Sequence, residues 1–125
     1  MKKENDKSGE HVLEDTVTLE EFSDMPPVMA PELLGRAAAL MHERGKTYDE
    51  PEGERSMGKA VTAFNAITGH TITESEGWLL LQVLKDVRNF TRSAPHLDSL
   101  EDCIAYSALK AEAEMRRLRE WQDKQ

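Results

Sequence analysis

The residues best able to do chemistry in this 125-residue chain lie between positions 85 and 106. Lys85 and Arg88 stand at i, i+3; Asp98 and Asp102 stand at i, i+4; His96 lies between the two pairs. Residues at these spacings share one face of a helix. A cationic helix, a short His-bearing turn and a helix that opens on carboxylates can present both signs of charge to one ligand. A phosphorylated, metal-bound molecule is held in this way: carboxylates take the cation, basic groups take the phosphates. Glu101 adds a third acid to the stretch, and Tyr106 adds an aromatic ring.

Each of these residues also has a structural reading. Asp98 and Glu101 match a helix capping box. Asp102 can pair with Lys85 or Arg88 across the hairpin as an ion-pair staple. His96 precedes the cap and has no second His at ligand spacing, as in an ordinary loop. Tyr48 and Tyr106 can pack with a hydrogen-bonded hydroxyl, or offer a ring for a base to stack on. Arg44 falls in the last turn of a helix, where the dipole favours a cation in any case. Cys103 lies on an apolar face and reads as an inert small hydrophobe.

Four helices are needed to position these groups. The first is expected from Pro31 to about Arg44, with proline in its first turn, Gly45 as its stop, and Leu33, Leu34, Ala37, Leu40 and Met41 as its apolar stripe. The second is expected from about Glu54 to Thr68, with Met57, Val61, Phe64 and Ile67 apolar and Gly69 ending it. Thr73 and Glu76 form a capping box before the third. On that helix Leu79, Leu80, Val83, Leu84, Val87 and Phe90 fall on one broad face, while Lys85, Arg88 and Arg92 fall on another beside Trp78 and Leu81. A cationic stripe that also carries a tryptophan is expected to line a cleft or a subunit contact. The fourth helix is expected from Asp98 or Ser99 to about Glu120. Leu100, Cys103, Ile104, Ser107, Ala111, Met115 and Leu118 form its expected core face. Asp102 lies off that face among Ala105, Tyr106, Leu109 and Ala113, so it is expected in a cleft, where a carboxylate must be paired, hydrogen-bonded or metal-bound. No segment alternates like a strand, and no solenoid period is present. The expected fold is an all-α four-helix bundle over residues 31–125, preceded by a mostly disordered acidic tail over residues 1–30.

Composition narrows the function. The net charge is −8, and residues 1–30 hold three basic and eight acidic residues. An acidic chain does not suit broad nucleic-acid binding, which needs positive potential along a groove. A single cysteine excludes an intramolecular disulfide and fits a reducing compartment. No apolar run approaches the roughly 20 residues of a membrane span, and no secretory segment opens the chain. A cytoplasmic protein is expected, with no membrane partner. Phosphate-loop and dinucleotide glycine patterns are missing. Ser99 and His96 lie in one turn and cannot form a nucleophilic triad.

The series Arg44-x3-Tyr48-x2-Pro51, then Lys85-x2-Arg88-x7-His96-x-Asp98-Ser99-x2-Asp102-x3-Tyr106, resembles a family of small uncharacterised phage and prophage proteins. That family is similar in turn to a nucleotide-modification-associated domain and, more distantly, to the MazG-like all-α nucleoside triphosphate pyrophosphohydrolases. The resemblance covers about residues 33–113. It implies nucleotide ligands, with Asp98, Glu101 and Asp102 holding Mg²⁺, Asp98 and Asp102 in catalytic roles, and Arg44, Tyr48, Lys85, Arg88, His96 and Tyr106 against the substrate. Two departures stand out. Asp49 follows Tyr48 where the family has glycine, and the third helix carries Lys85 and Arg88 where MazG-like enzymes carry Glu-x-x-Glu.

Two functions are therefore expected. The first is a nucleotide-active protein, most concretely a Mg²⁺-dependent pyrophosphohydrolase in which a metal-activated water attacks the α–β linkage. The second is a non-catalytic helical effector that binds a nucleotide or a host protein. Either form could self-associate.

Overall fold

The computed structural model describes residues 27–48 and 53–125, with the backbone alone at 47 and 48. Most of the expected tail, including Leu19, Phe22 and Met25, lies outside the described residues. The rest is all-α, as the patterning predicts. Its helices are α1 (Ala30–Tyr48), α2 (Ser56–Thr68), α3 (Glu74–Phe90) and α4 (Leu97–Asp123), with no strand among the described residues.

The helix ends show which local signals act. Gly69 stops α2 in the left-handed conformation at φ 79°, and its N–H donates to the Asn65 carbonyl. The Asn65 side chain then pins the turn, donating to the Ile72 carbonyl and accepting from the Ile72 N–H, each at 3.0 Å. Thr73 and Glu76 form both halves of the expected capping box on α3. Two ends differ from expectation. α1 continues through Gly45 to Tyr48. Glycine inside a helix costs roughly 1 kcal/mol relative to alanine, and here Gly45 is one of the residues lining the cleft. α4 starts at Leu97, with His96 as its N-cap and no side-chain cap bond. The Asp98–Glu101 capping box therefore does not form, and Glu101 is turned inward instead, only 1% exposed.

The α3–α4 hairpin is the centre of the fold, with α1 packed on α4 and α2 on α3. One cleft is lined by residues of all four helices, so α1 and α2 cover the same side of the hairpin. Close approach of α2 depends on Gly77. A Cβ there would meet Met57 Sδ at 2.5 Å and Val61 Cγ2 at 3.0 Å. A bidentate pair from Arg116 to Glu74, at 3.0 and 3.1 Å, ties the start of α3 to the far part of α4.

The core corrects the expected assignment of faces. Among the described residues, Ala37, Val61, Trp78, Leu97 and Ala113 are the buried apolar ones. The broad stripe of α3, from Leu79 to Phe90, is exposed throughout, Phe90 at 80%. On α4, Leu100, Met115 and Leu118 of the expected core face are exposed as well, as are Ser107 and Ala111. Periodicity identified these faces as apolar. What it could not supply is their cover, because α1 and α2 both pack on the other side of the hairpin.

Candidate functional site: a cleft closed by a buried carboxylate clamp

Asp102 is buried where the sequence places it, 6% exposed. Lys85 Nζ lies 2.7 Å from its Oδ2, and Arg44 Nη1 lies 3.2 Å from its Oδ1. Both oxygens are thus bound to cations from two other helices, α3 and α1. Desolvating a lone carboxylate is expensive, and these two partners are the physical reason it is tolerated. Lys85 is itself largely buried, whereas Arg44 is about half exposed. Of the two cations expected to pair across the hairpin, Lys85 does so. Arg88 is exposed and belongs to no ion pair among the described residues.

One residue earlier on α4, Glu101 lies against α1. Its Oε2 is 2.8 Å from Arg36 Nε, but off the N–H direction, and Oε1 has no hydrogen-bond partner among the described residues. Arg36 went unnoticed in the sequence. The signal is its position at the edge of the α1 stripe of Leu33, Ala37, Leu40 and Met41, where a cation beside packed apolar residues calls for an acid.

Beside the Asp102 clamp opens a cleft of about 450 Å³. Trp78 and Tyr106 stack in its wall, with ring centroids 5.6 Å apart and planes inclined by 28°. Met57, Leu81 and Leu109 supply apolar lining, and Arg44, Glu54 and Ser56 supply polar groups. The Glu54 carboxylate accepts from the Ser56 N–H at the start of α2, at 2.9 Å. Only one Arg44 nitrogen is engaged, by Asp102; its other donors have no partner among the described residues. The expected link between the cationic side of α3, Trp78 and a cleft is therefore present, through Trp78 and Leu81 rather than through Lys85 or Arg88.

The remaining expected site residues whose side chains are described do not line this cleft. His96 sits at the α3–α4 turn. Its N–H donates to Asn89 Oδ1 at 2.8 Å, and its Nδ1 is 2.5 Å from the buried Ser99 hydroxyl. Burial and the Arg92 charge hold its pKa below the ordinary 6.5, against opposing pulls from Asp98 and Asp102. Asp98 is partly exposed in the first turn of α4. The side chain of Tyr48 lies outside the described residues. Cys103 is a partly buried thiol that donates to Asp86 Oδ1 at 3.5 Å, and burial followed by that carboxylate pushes its pKa up, as an unreactive thiol requires.

As a Mg²⁺ site the three acids do not fit. Asp102 has both oxygens on cations, Glu101 faces Arg36, and no group of three His, Cys, Asp or Glu among the described residues is placed to hold a metal. The arrangement can instead bind: an apolar, aromatic-walled cleft with an oriented guanidinium at its edge. Against known protein families, curated proteins and solved structures, the chain has no match. None of the described helices is long and apolar enough to cross a membrane.

Proposed function

We propose that this chain is a small all-α nucleotide-binding module, with the Trp78–Tyr106 cleft as the base site and Arg44 as the phosphate contact. One observation carries the reading: a stacked aromatic pair and a half-exposed arginine share a cleft of about 450 Å³. Such a volume lies within the usual range for small-molecule sites. A base stacked on an aromatic ring gains roughly 1–3 kcal/mol. A guanidinium keeps its charge at all ordinary pH values and matches phosphate oxygens two at a time. Asp102 orients Arg44 before any ligand arrives, which lowers the entropy lost on binding.

The module binds without turnover. Hydrolysis of a triphosphate by a metal-activated water needs carboxylates free for the metal, and Asp102 and Glu101 are committed to Lys85, Arg44 and Arg36. The chain thus acts as an effector that reads a nucleotide rather than a pyrophosphohydrolase.

Thermal melting with a panel of nucleoside mono- and triphosphates, each with and without Mg²⁺, tests this. One class should raise the melting temperature, since a ligand at a hundred times its Kd stabilises the native state by about 2.7 kcal/mol. Arg44→Ala should remove the rise and leave the protein folded, because Asp102 retains Lys85. A panel with no effect defeats the reading. Release of pyrophosphate with the monophosphate would restore the enzyme in its place.

A further inference from the structure

The exposed face of the α3–α4 hairpin is the least expected feature of the chain. On α3 the outward positions from Leu79 to Phe90 lie within an arc of about 140°; no charged residue between those two falls in it, though Glu76, one turn earlier, does. On α4 the positions of Leu100, Ile104, Ser107, Ala111, Met115 and Leu118 are also uncharged. Yet 32% of the whole chain is charged. In the antiparallel hairpin both stripes turn to the side opposite α1 and α2. They form an extended, mainly apolar surface, with Glu76, Lys110, Glu114 and Arg117 lining a pocket beside Leu79 at one end.

We propose that this surface is the homodimer interface, covered by the same face of a second copy. The size fits. Nine large apolar side chains on it are between 38 and 80% exposed. Together they present on the order of 800 Å², which is what one partner gives to a standard stable interface and more than the apolar patch of an ordinary monomer. The electrostatics fit as well. Two copies at −8 each repel, but the nine apolar side chains of this face carry no charge to add to that repulsion. The topology is complete without any new element: two hairpins packed about a two-fold axis make a four-helix bundle, with α1 and α2 of each copy on its outside.

The thin core selects a second copy over another partner. Among the described residues, only Trp78, Val61, Leu97 and two alanines are buried apolar residues. A bundle this lightly packed needs its missing core whenever it folds, and the one partner always present at that moment is another copy of the chain. The two clefts then lie on opposite outer sides of the dimer, open to ligand.

Light scattering coupled to size exclusion, on the full chain, reads the result directly. The expected mass is twice the 14.1 kDa of one chain. The melting temperature should rise by a few degrees for each tenfold increase in protein concentration, since association is linked to folding. Leu80→Glu combined with Val87→Glu should abolish the doubled mass, leaving a single-chain or unfolded species. Ile67→Glu, at an exposed apolar site on α2 away from this face, should keep it. Retention of the doubled mass by the Leu80/Val87 variant overturns the assignment. So does a wild-type chain of single mass whose melting is independent of concentration. In that case, a rise in hydrophobic-dye binding on deletion of residues 1–26 would assign the face to the chain's own tail, and no rise would leave it to a different protein.

Discussion

The two faces of the α3–α4 hairpin are inverted relative to the usual rule. The face toward α1 and α2 buries Asp102, Glu101 and most of Lys85. The opposite face leaves Leu80, Val87, Phe90 and Met115 exposed. The comparison shows that burial follows the available partners, not polarity alone. Charges can be buried on the first face because α1 carries Arg36 and Arg44 to meet them. The second face is apolar because something other than the described helices is to cover it, and on our reading that is a second hairpin of the same sequence.

The largest test breaks the polar face. Asp102→Asn removes the anion between Lys85 and Arg44. Arg44 can turn toward water, but Lys85 is left buried and unpaired, and losing one partner of a buried pair costs roughly 3–5 kcal/mol. Urea unfolding should show a midpoint lowered accordingly. A change below about 1 kcal/mol would mean that water already screens this clamp.

A smaller effect sharpens the contrast from the other side. Leu80 is 66% exposed in the single chain. Were it a surface residue, Leu80→Ala would change stability by no more than about 0.5 kcal/mol. Under the cover of a second copy it should cost about 2 kcal/mol or more, as truncation of a buried leucine does. Chemical denaturation at a protein concentration well above the dissociation range separates the two values.

The smallest effect is a pH dependence at the turn that joins the two helices. Burial and Arg92 hold the His96 pKa in the folded protein below its ordinary value of 6.5. The unfolded chain therefore binds more protons as pH falls. Stability is complete above about pH 6.5 and declines below it, until the folded-state pKa is passed. Melting at pH 7 and pH 5 should show a drop for the wild type and a smaller one for His96→Gln. Equal drops would place the proton uptake elsewhere.

How much was legible beforehand depended on how local each signal is. Thr73 with Glu76, and Gly69, act within one turn of chain, and both behave as their types require. Gly45 is not a stop: the helix runs through it to Tyr48, so its local preference does not decide the end. Asp98 and Glu101 have capping-box spacing, but α4 begins a residue earlier and Glu101 faces Arg36, a residue no nearby motif pointed to. Asp102 was recognisable as a buried acid from the small apolar residues around it. Its second partner, Arg44, comes from 58 residues away.

The sequence by itself determined the all-α class, the four helices, most of their ends, and which faces are apolar. These follow from 3.6-residue periodicity and from backbone groups that must be satisfied within a turn. Tertiary structure alone decided that Trp78 stacks on Tyr106 beside Arg44, that Glu101 meets Arg36, and that both α1 and α2 pack on the polar side of the hairpin. Periodicity states in which direction a side chain points. Which element stands in that direction depends on how helices far apart in the chain cross.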